Sequence, residues 1–264
     1  MKYDITDQIK AATTLQDLLG IKWSVINRTL KYGYTGDFYE DLENLIMEKG
    51  NLAVSDYRAL TFTVQHVTTS NNNCKSIKEY GIMPLDQTYE NPSTDLRMFL
   101  DKHDIRIDLE AQILSYCGHQ YDINNSFRRS KSNHKDKYGA FIGNKFYNEP
   151  NVWGFLCLQD YSSCIWKSPE VIVDIDTLLN IGLERDWITR NEGSKTYAVT
   201  FEADGRVVGF SGYSYADNDE VIKKLIDLAA EKAFTNRVSP DSQVVRVEQG
   251  ISVPPENITS IIKL

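Results

Sequence analysis

The chain carries more strand-like runs than its helix-like segments can bridge. "LTFTVQHV", "KTYAVTFEADGRVVGF" and "SQVVRVEQGISVPPENITSIIKL" set β-branched and aromatic residues in near alternation, the pattern of half-buried strands. Parallel neighbours need a crossover connection, usually a helix, after each strand. The helix-like segments here do not follow that beat. The pattern therefore disfavours a doubly wound parallel sheet and predicts an α+β fold with mostly antiparallel sheets.

The first part of the chain reads differently. "ITDQIKAATTLQDLLG" ends at Gly20 as a helix C-cap would, and "TGDFYEDLENLIMEKG" places Phe38, Leu42, Leu45 and Ile46 at helical spacing before a stop at Gly50. Residues 1–60 are expected to form an N-terminal helical lobe, and residues 61–264 the main domain. Within the latter, "CKSIKEYG" reads as a two-turn helix, "STDLRMFLDKH" as a helix, and "AQILSYCGHQYDI" as a hairpin around Gly118. "PEVIVDIDTLLNIG" reads as a strand and a short helix, "KTYAVTFEADGRVVGF" as a hairpin turning at Asp204-Gly205, and "DNDEVIKKLIDLAAEKAF" as a capped amphipathic helix.

Charge and cysteine content narrow the function classes. With 29 Lys plus Arg against 37 Asp plus Glu, the net charge of -8 disfavours nonspecific nucleic-acid binding through a global positive field. A local patch remains in "FRRSKSNHKDKYG", where Arg128, Arg129, Lys131, Lys135 and Lys137 are either phosphate ligands or a solvated loop. Cys74, Cys117, Cys157 and Cys164 form no CxxC pair, which argues against zinc, and no metal is expected. The chain shows no apolar leader-like stretch at its start and no apolar run of membrane-spanning length. The expectation is a cytoplasmic protein with reduced thiols and no membrane association.

P-loop, GxGxxG, HExxH and GxSxG motifs are all absent. Of the four histidines, His103, His119 and His134 sit in turn-like or charged contexts. His66 is different: it ends a strand-like run and leads through a polar turn into a short helix closing on Tyr80-Gly81. A lone histidine is more often a satisfied surface or core residue than a ligand.

"QHVTTSNNNCKSIKEYGI" resembles the first motif of the ADP-ribosyltransferase superfamily of the His-Tyr-Glu type, which includes diphtheria-toxin-like enzymes, poly-ADP-ribose polymerases and bacterial toxins. His66, then Thr68, then a helix ending in Gly81 and an apolar residue carry the likeness. The second motif would be the segment Gly143, Lys145, Phe146, Tyr147, with Tyr147 following a strand and opening a helix continued by "NVWGFL". Phe146 and Tyr147 could equally be packed core residues. The third would be "DSQVVRVEQGISVPPENITSI", whose position aligning with the family glutamate holds Gln243, while Glu248 lies at the far end of the strand. Strand alternation puts these two on opposite faces unless a bulge intervenes.

The resemblance implies an ADP-ribosyltransferase-like split β-sheet core, with no part played by the N-terminal helices, and an NAD-dependent mono-ADP-ribosyltransferase. Such a protein would be a toxin, toxin–antitoxin component or phage-defence effector. His66 and Thr68 would hold the dinucleotide, with Gly81 closing the helix behind them. Tyr147 would stack on nicotinamide, and Gln243 or Glu248 would orient the ribose hydroxyl. NAD enters as substrate. The acceptor would be a nucleic acid or a protein, with Arg128, Arg129 and Lys131 the candidate nucleic-acid contacts, and an antitoxin or inhibitor protein is a possible partner. NAD hydrolysis and a catalytically inactive interaction protein are the alternatives, the latter because an amide stands where the family has a carboxylate.

Overall fold

The structure is a computed structural model that describes residues 1–33, 37–49, 52–124, 134–158, 167–190, 193–210, 217–238 and 243–264. In chain order the first elements are β1 (Lys2–Tyr3), α1 (Gln8–Leu19), α2 (Trp23–Gly33), α3 (Phe38–Lys49), β2 (Thr61–Ser70) and α4 (Lys75–Tyr80). Then come α5 (Leu85–Glu90), α6 (Asp95–Lys102), β3 (Arg106–Asp108), β4 (Ile113–Tyr116), β5 (His119–Asp122), α7 (His134–Tyr147) and β6 (Trp153–Phe155). The last are α8 (Glu170–Leu179), α9 (Leu183–Thr189), β7 (Lys195–Asp204), β8 (Val208–Phe210), α10 (Asn218–Thr235), β9 (Val244–Val247) and β10 (Ile258–Lys263).

The fold is mixed α+β. The main sheet has the strand order β10-β7-β2-β6-β9-β8, with β1 beside β2, and β3-β4-β5 form a second sheet. The pairs β2–β6, β6–β9, β8–β9, β3–β4 and β4–β5 are antiparallel, while β1–β2 is parallel. Two compact units divide the chain: Met1–His66 with Trp153–Tyr161 and Thr200–Glu248, and Val67–Val152 with Ser162–Val199 and Gln249–Leu264. The expected boundary after residue 60 falls inside the first unit.

In the first unit the N-terminal helices pack with a C-terminal one. Ala11, Leu15 and Leu18 bury one stripe of α1, and α1 lies against α10. Asp7 caps α1 by accepting from the Lys10 N–H, and Gly20, at φ 62°, ends it. Below them an aromatic chain joins strands. Tyr3 and Phe62 have ring centroids 5.4 Å apart, Phe62 and Phe210 5.6 Å, and Tyr3 Oη donates to the Leu225 carbonyl in α10 at 2.9 Å. The stop expected at Gly50 lies outside the described residues.

The second unit has its own core, in which Phe99, Leu100, Leu114, Ile142, Phe146 and Trp187 are buried together. The Tyr89 hydroxyl accepts from the Ile107 N–H at 2.7 Å, tying α5 to β3. The Asp176 carboxylate accepts from the N–H groups of Ile181, Leu183 and Glu184, satisfying donors at the start of α9.

Three local expectations are corrected. "PEVIV" begins a helix: Pro169 stands at its N-cap, and Val171, Ile172, Ile175 and Leu178 are buried at helical spacing, so packing overrides β-propensity. Lys195–Phe210 is no hairpin, because β7 and β8 lie apart in the strand order. The turn residues are present, but Gly205 is drawn against the 57–60 turn, its N–H donating to the Leu60 carbonyl at 2.7 Å, and β8 leaves to pair with β9. Finally, Tyr147 ends α7, and Trp153–Phe155 form a strand. Gly139 and Gly143 leave α7 without side chains where it presses on the backbone of residues 122–124, so these glycines serve close packing.

Candidate active site

His66 lies near the middle of β2, whose neighbours are β7 and β6. Its Nδ1 lies 2.8 Å from the Trp153 carbonyl of β6. A carbonyl can only accept, so Nδ1 carries the proton and Nε2 is left as an acceptor. Withdrawal from water lowers the imidazole pKa, against the opposing effect of that hydrogen bond. His66 is therefore a neutral, oriented imidazole near pH 7.

The register decides what shares its face. Gln65 is aligned with Phe155 and Phe155 with Val244, while Gly154 is aligned with Val245. One step along the antiparallel pair sets His66 beside Gly154. Residues aligned across a sheet project to the same side, so His66, Gly154 and Val245 share a face. An added Cβ on Gly154 would stand 2.5 Å from Val64 Cγ1, a residue of the same parity as His66. Alternation then puts Gln243 on this face and Glu248 on the other.

Their surroundings differ as sharply. Gln243 is 3% exposed, its backbone carbonyl accepts from the Leu156 N–H at 3.0 Å, and its side-chain Oε1 has no hydrogen-bond partner among the described residues. A buried acceptor without a partner is costly and uncommon in native proteins. Glu248 is exposed, and its N–H donates to the Val207 carbonyl at 2.8 Å.

Thr68, Gly81 and Tyr147 belong to the second unit. Thr68 is half-buried in the last part of β2. Gly81 closes α4 at φ 81°, and a Cβ there would collide with the Val253 carbonyl, because Ile82 and Val253 form an antiparallel bridge with bonds of 2.9 and 2.8 Å. The Tyr147 hydroxyl donates to the Leu109 carbonyl at 2.9 Å, its ring packs against the core of the unit, and burial with the nearby Asp108 charge pushes its pKa up to about 12. Phe146 is 2% exposed, a core residue. Arg128, Arg129 and Lys131 lie outside the described residues.

The sequence reading missed two features. One is Trp153, whose carbonyl fixes the His66 tautomer; an aromatic ahead of a glycine in "NVWGF" is the only signal of it. The other is a polar cleft of about 220 Å³ in the second unit, lined by Ser70, Asn71, Asn72, Asn73, Lys195 and Tyr197 together with Gly193. The Tyr197 hydroxyl donates to Asn73 Oδ1 at 2.9 Å across it. Its sequence signal is the asparagine run following Ser70. Among the described residues no cluster of His, Cys, Asp and Glu has the makings of a metal site, and no helix is long and apolar enough to cross a membrane.

No family model, curated protein or solved structure matches the chain.

Proposed function

We propose that the chain is an NAD-dependent mono-ADP-ribosyltransferase acting on a macromolecule, in the manner of a toxin or defence effector. The observation that carries this reading is the common sheet face of His66 and Gln243. Among the described residues one presents an imidazole Nε2 without a partner and the other an unpartnered amide oxygen, on β2 and at the start of β9, which are separated only by β6.

The chemistry asked of such a site is modest in bonding and demanding in position. Breaking the bond between nicotinamide and ribose leaves positive charge on the sugar ring, so a catalyst must fix the dinucleotide and stabilise that charge. His66 Nε2 accepts from a hydroxyl or amide N–H of the dinucleotide. Gln243 Oε1 accepts from a ribose hydroxyl, which supplies the partner its burial lacks. As an amide it contributes a dipole where a carboxylate would contribute full charge, so the electrostatic contribution is smaller. Thr68 supports the His66 contact.

The amide at Gln243 also favours a second reading, an ADP-ribosyltransferase-like interaction protein without turnover. Incubation with NAD labelled in its adenylate part, in cell extract, separates the readings. Label on protein or nucleic acid supports transfer, free ADP-ribose with nicotinamide alone supports hydrolysis, and intact NAD supports the inactive scaffold.

A further inference from the structure

The sheet that carries His66 and Gln243 has a second face that the proposed reaction does not use. In the first unit Gly154, Leu156, Val208, Phe210, Val245 and Val247 are buried on one side of β6, β9 and β8. On the other side Trp153, Phe155, Gly209, Val244 and Arg246 are all half-buried, and Glu248 at the strand end is exposed. The register lines up Trp153, Arg246 and Gly209 in one row across the sheet. An added Cβ on Gly209 would stand 3.2 Å from Arg246 Nε and 3.5 Å from its Cγ, so the arginine side chain lies across the space that the glycine leaves open.

Arg246 is without a hydrogen bond or ion pair among the described residues, and so is the indole of Trp153. An arginine offers five donors in a planar fork, and no carboxylate among the described residues takes them, Glu248 included. Trp153 and Phe155 stand two residues apart on β6, about 7 Å, which leaves room for one planar group on each ring. The register aligns Arg246 with Trp153, so one guanidinium and two rings on the same face match a ligand with planar bases and a negative charge. A carboxylate-bearing peptide would satisfy Arg246 and leave the rings unmatched.

We propose that this face of β6, β9 and β8 binds single-stranded nucleic acid, with a backbone phosphate on Arg246 and bases stacked on Trp153 and Phe155. The strand is held by stacking and one strong phosphate contact, consistent with a chain of net charge -8 that has no global field to attract it. Binding is expected to favour single strands over duplex, whose bases cannot reach the rings.

The test is fluorescence anisotropy of a short fluorescein-labelled single-stranded oligonucleotide at low salt, without NAD, on the full chain. Arg246→Ala is expected to weaken binding about tenfold and to reduce the slope of log affinity against log salt by about 0.7, the share of one phosphate on a single strand. Arg246→Lys should lose less. Trp153→Ala should cost about tenfold and Trp153→Phe much less, since stacking needs a ring. Circular dichroism on each variant separates loss of contact from loss of fold. Absence of binding, equal binding by natively folded Arg246→Ala, or a preference for duplex or for a phosphopeptide would each overturn the proposal. So would competition by NAD, which would make this face a dinucleotide site. NAD turnover by the same variants is read independently, so failure here leaves the reaction proposed above standing or falling on its own assay.

Discussion

Replacing Gln243 with leucine separates a site residue from a core residue by sending stability and activity in opposite directions. Gln243 is 3% exposed and its Oε1 has no partner among the described residues. Leaving a buried acceptor unpaired costs about 1–3 kcal/mol, and leucine fills a similar volume with no polar atom to desolvate. The bond from the Leu156 N–H goes to the main-chain carbonyl of residue 243 and survives the change. Gln243→Leu should therefore stabilise the chain by about 1–3 kcal/mol, which at about 2–4 °C per kcal/mol for a protein of this size is a rise of some degrees in Tm. Differential scanning calorimetry measures it. In the same preparation NAD cleavage should fall about 10²- to 10³-fold, the usual cost of removing one preorganised contact to developing charge. A lower Tm would mean that the amide is satisfied and structural, and unchanged cleavage would remove Gln243 from the site. Either result refutes the reasoning.

Gln243→Glu is expected to preserve or raise transfer, because a carboxylate adds charge stabilisation, whereas Glu248→Gln, on the opposite face, should change turnover little; steady-state NAD cleavage by both variants checks this. The lowered pKa of His66 means that the unfolded chain takes up its proton more readily than the folded one. This contribution to stability is complete above the unfolded value of 6.5 and is lost as pH falls below it; denaturant titrations across that range should show the decline, and His66→Gln should flatten it. Tyr147→Phe should cost about 1 kcal/mol for the lost bond to Leu109 and leave turnover nearly intact, since the ring remains; a large loss of turnover at native stability would instead give the hydroxyl a chemical role. Gly81→Ala should destabilise by at least about 2 kcal/mol, because φ 81° and the Val253 carbonyl both exclude a Cβ, and thermal unfolding measures it.

Periodicity and punctuation in the sequence determined the local elements. Alternation marked β2, β7 and β9, the hairpin around Gly118 follows from its turn residues, and Gly20 and Asp217 mark helix ends because caps act within one turn of chain. The glycine-closed helix after His66 was legible for the same reason, but the strand expected to end at His66 runs on to Ser70, because its pairing with neighbouring strands continues past the histidine. Alternation also separated Gln243 from Glu248 without any coordinates, since the period of a strand is local. What it could not supply was which of them faces His66. That depends on the register of β2 on β6 and of β6 on β9, and the pairing of strands distant in sequence is set by burial of whole faces, not by any one segment. The same limit explains the corrected elements. β-Branched "PEVIV" becomes a helix because its buried stripe fits the core of the second unit, and β8 abandons β7 because Gly205 is held against a turn far earlier in the chain. Trp153 illustrates it most directly: its identity is plain in the sequence, but its carbonyl fixes the His66 tautomer only because tertiary pairing sets β6 beside β2.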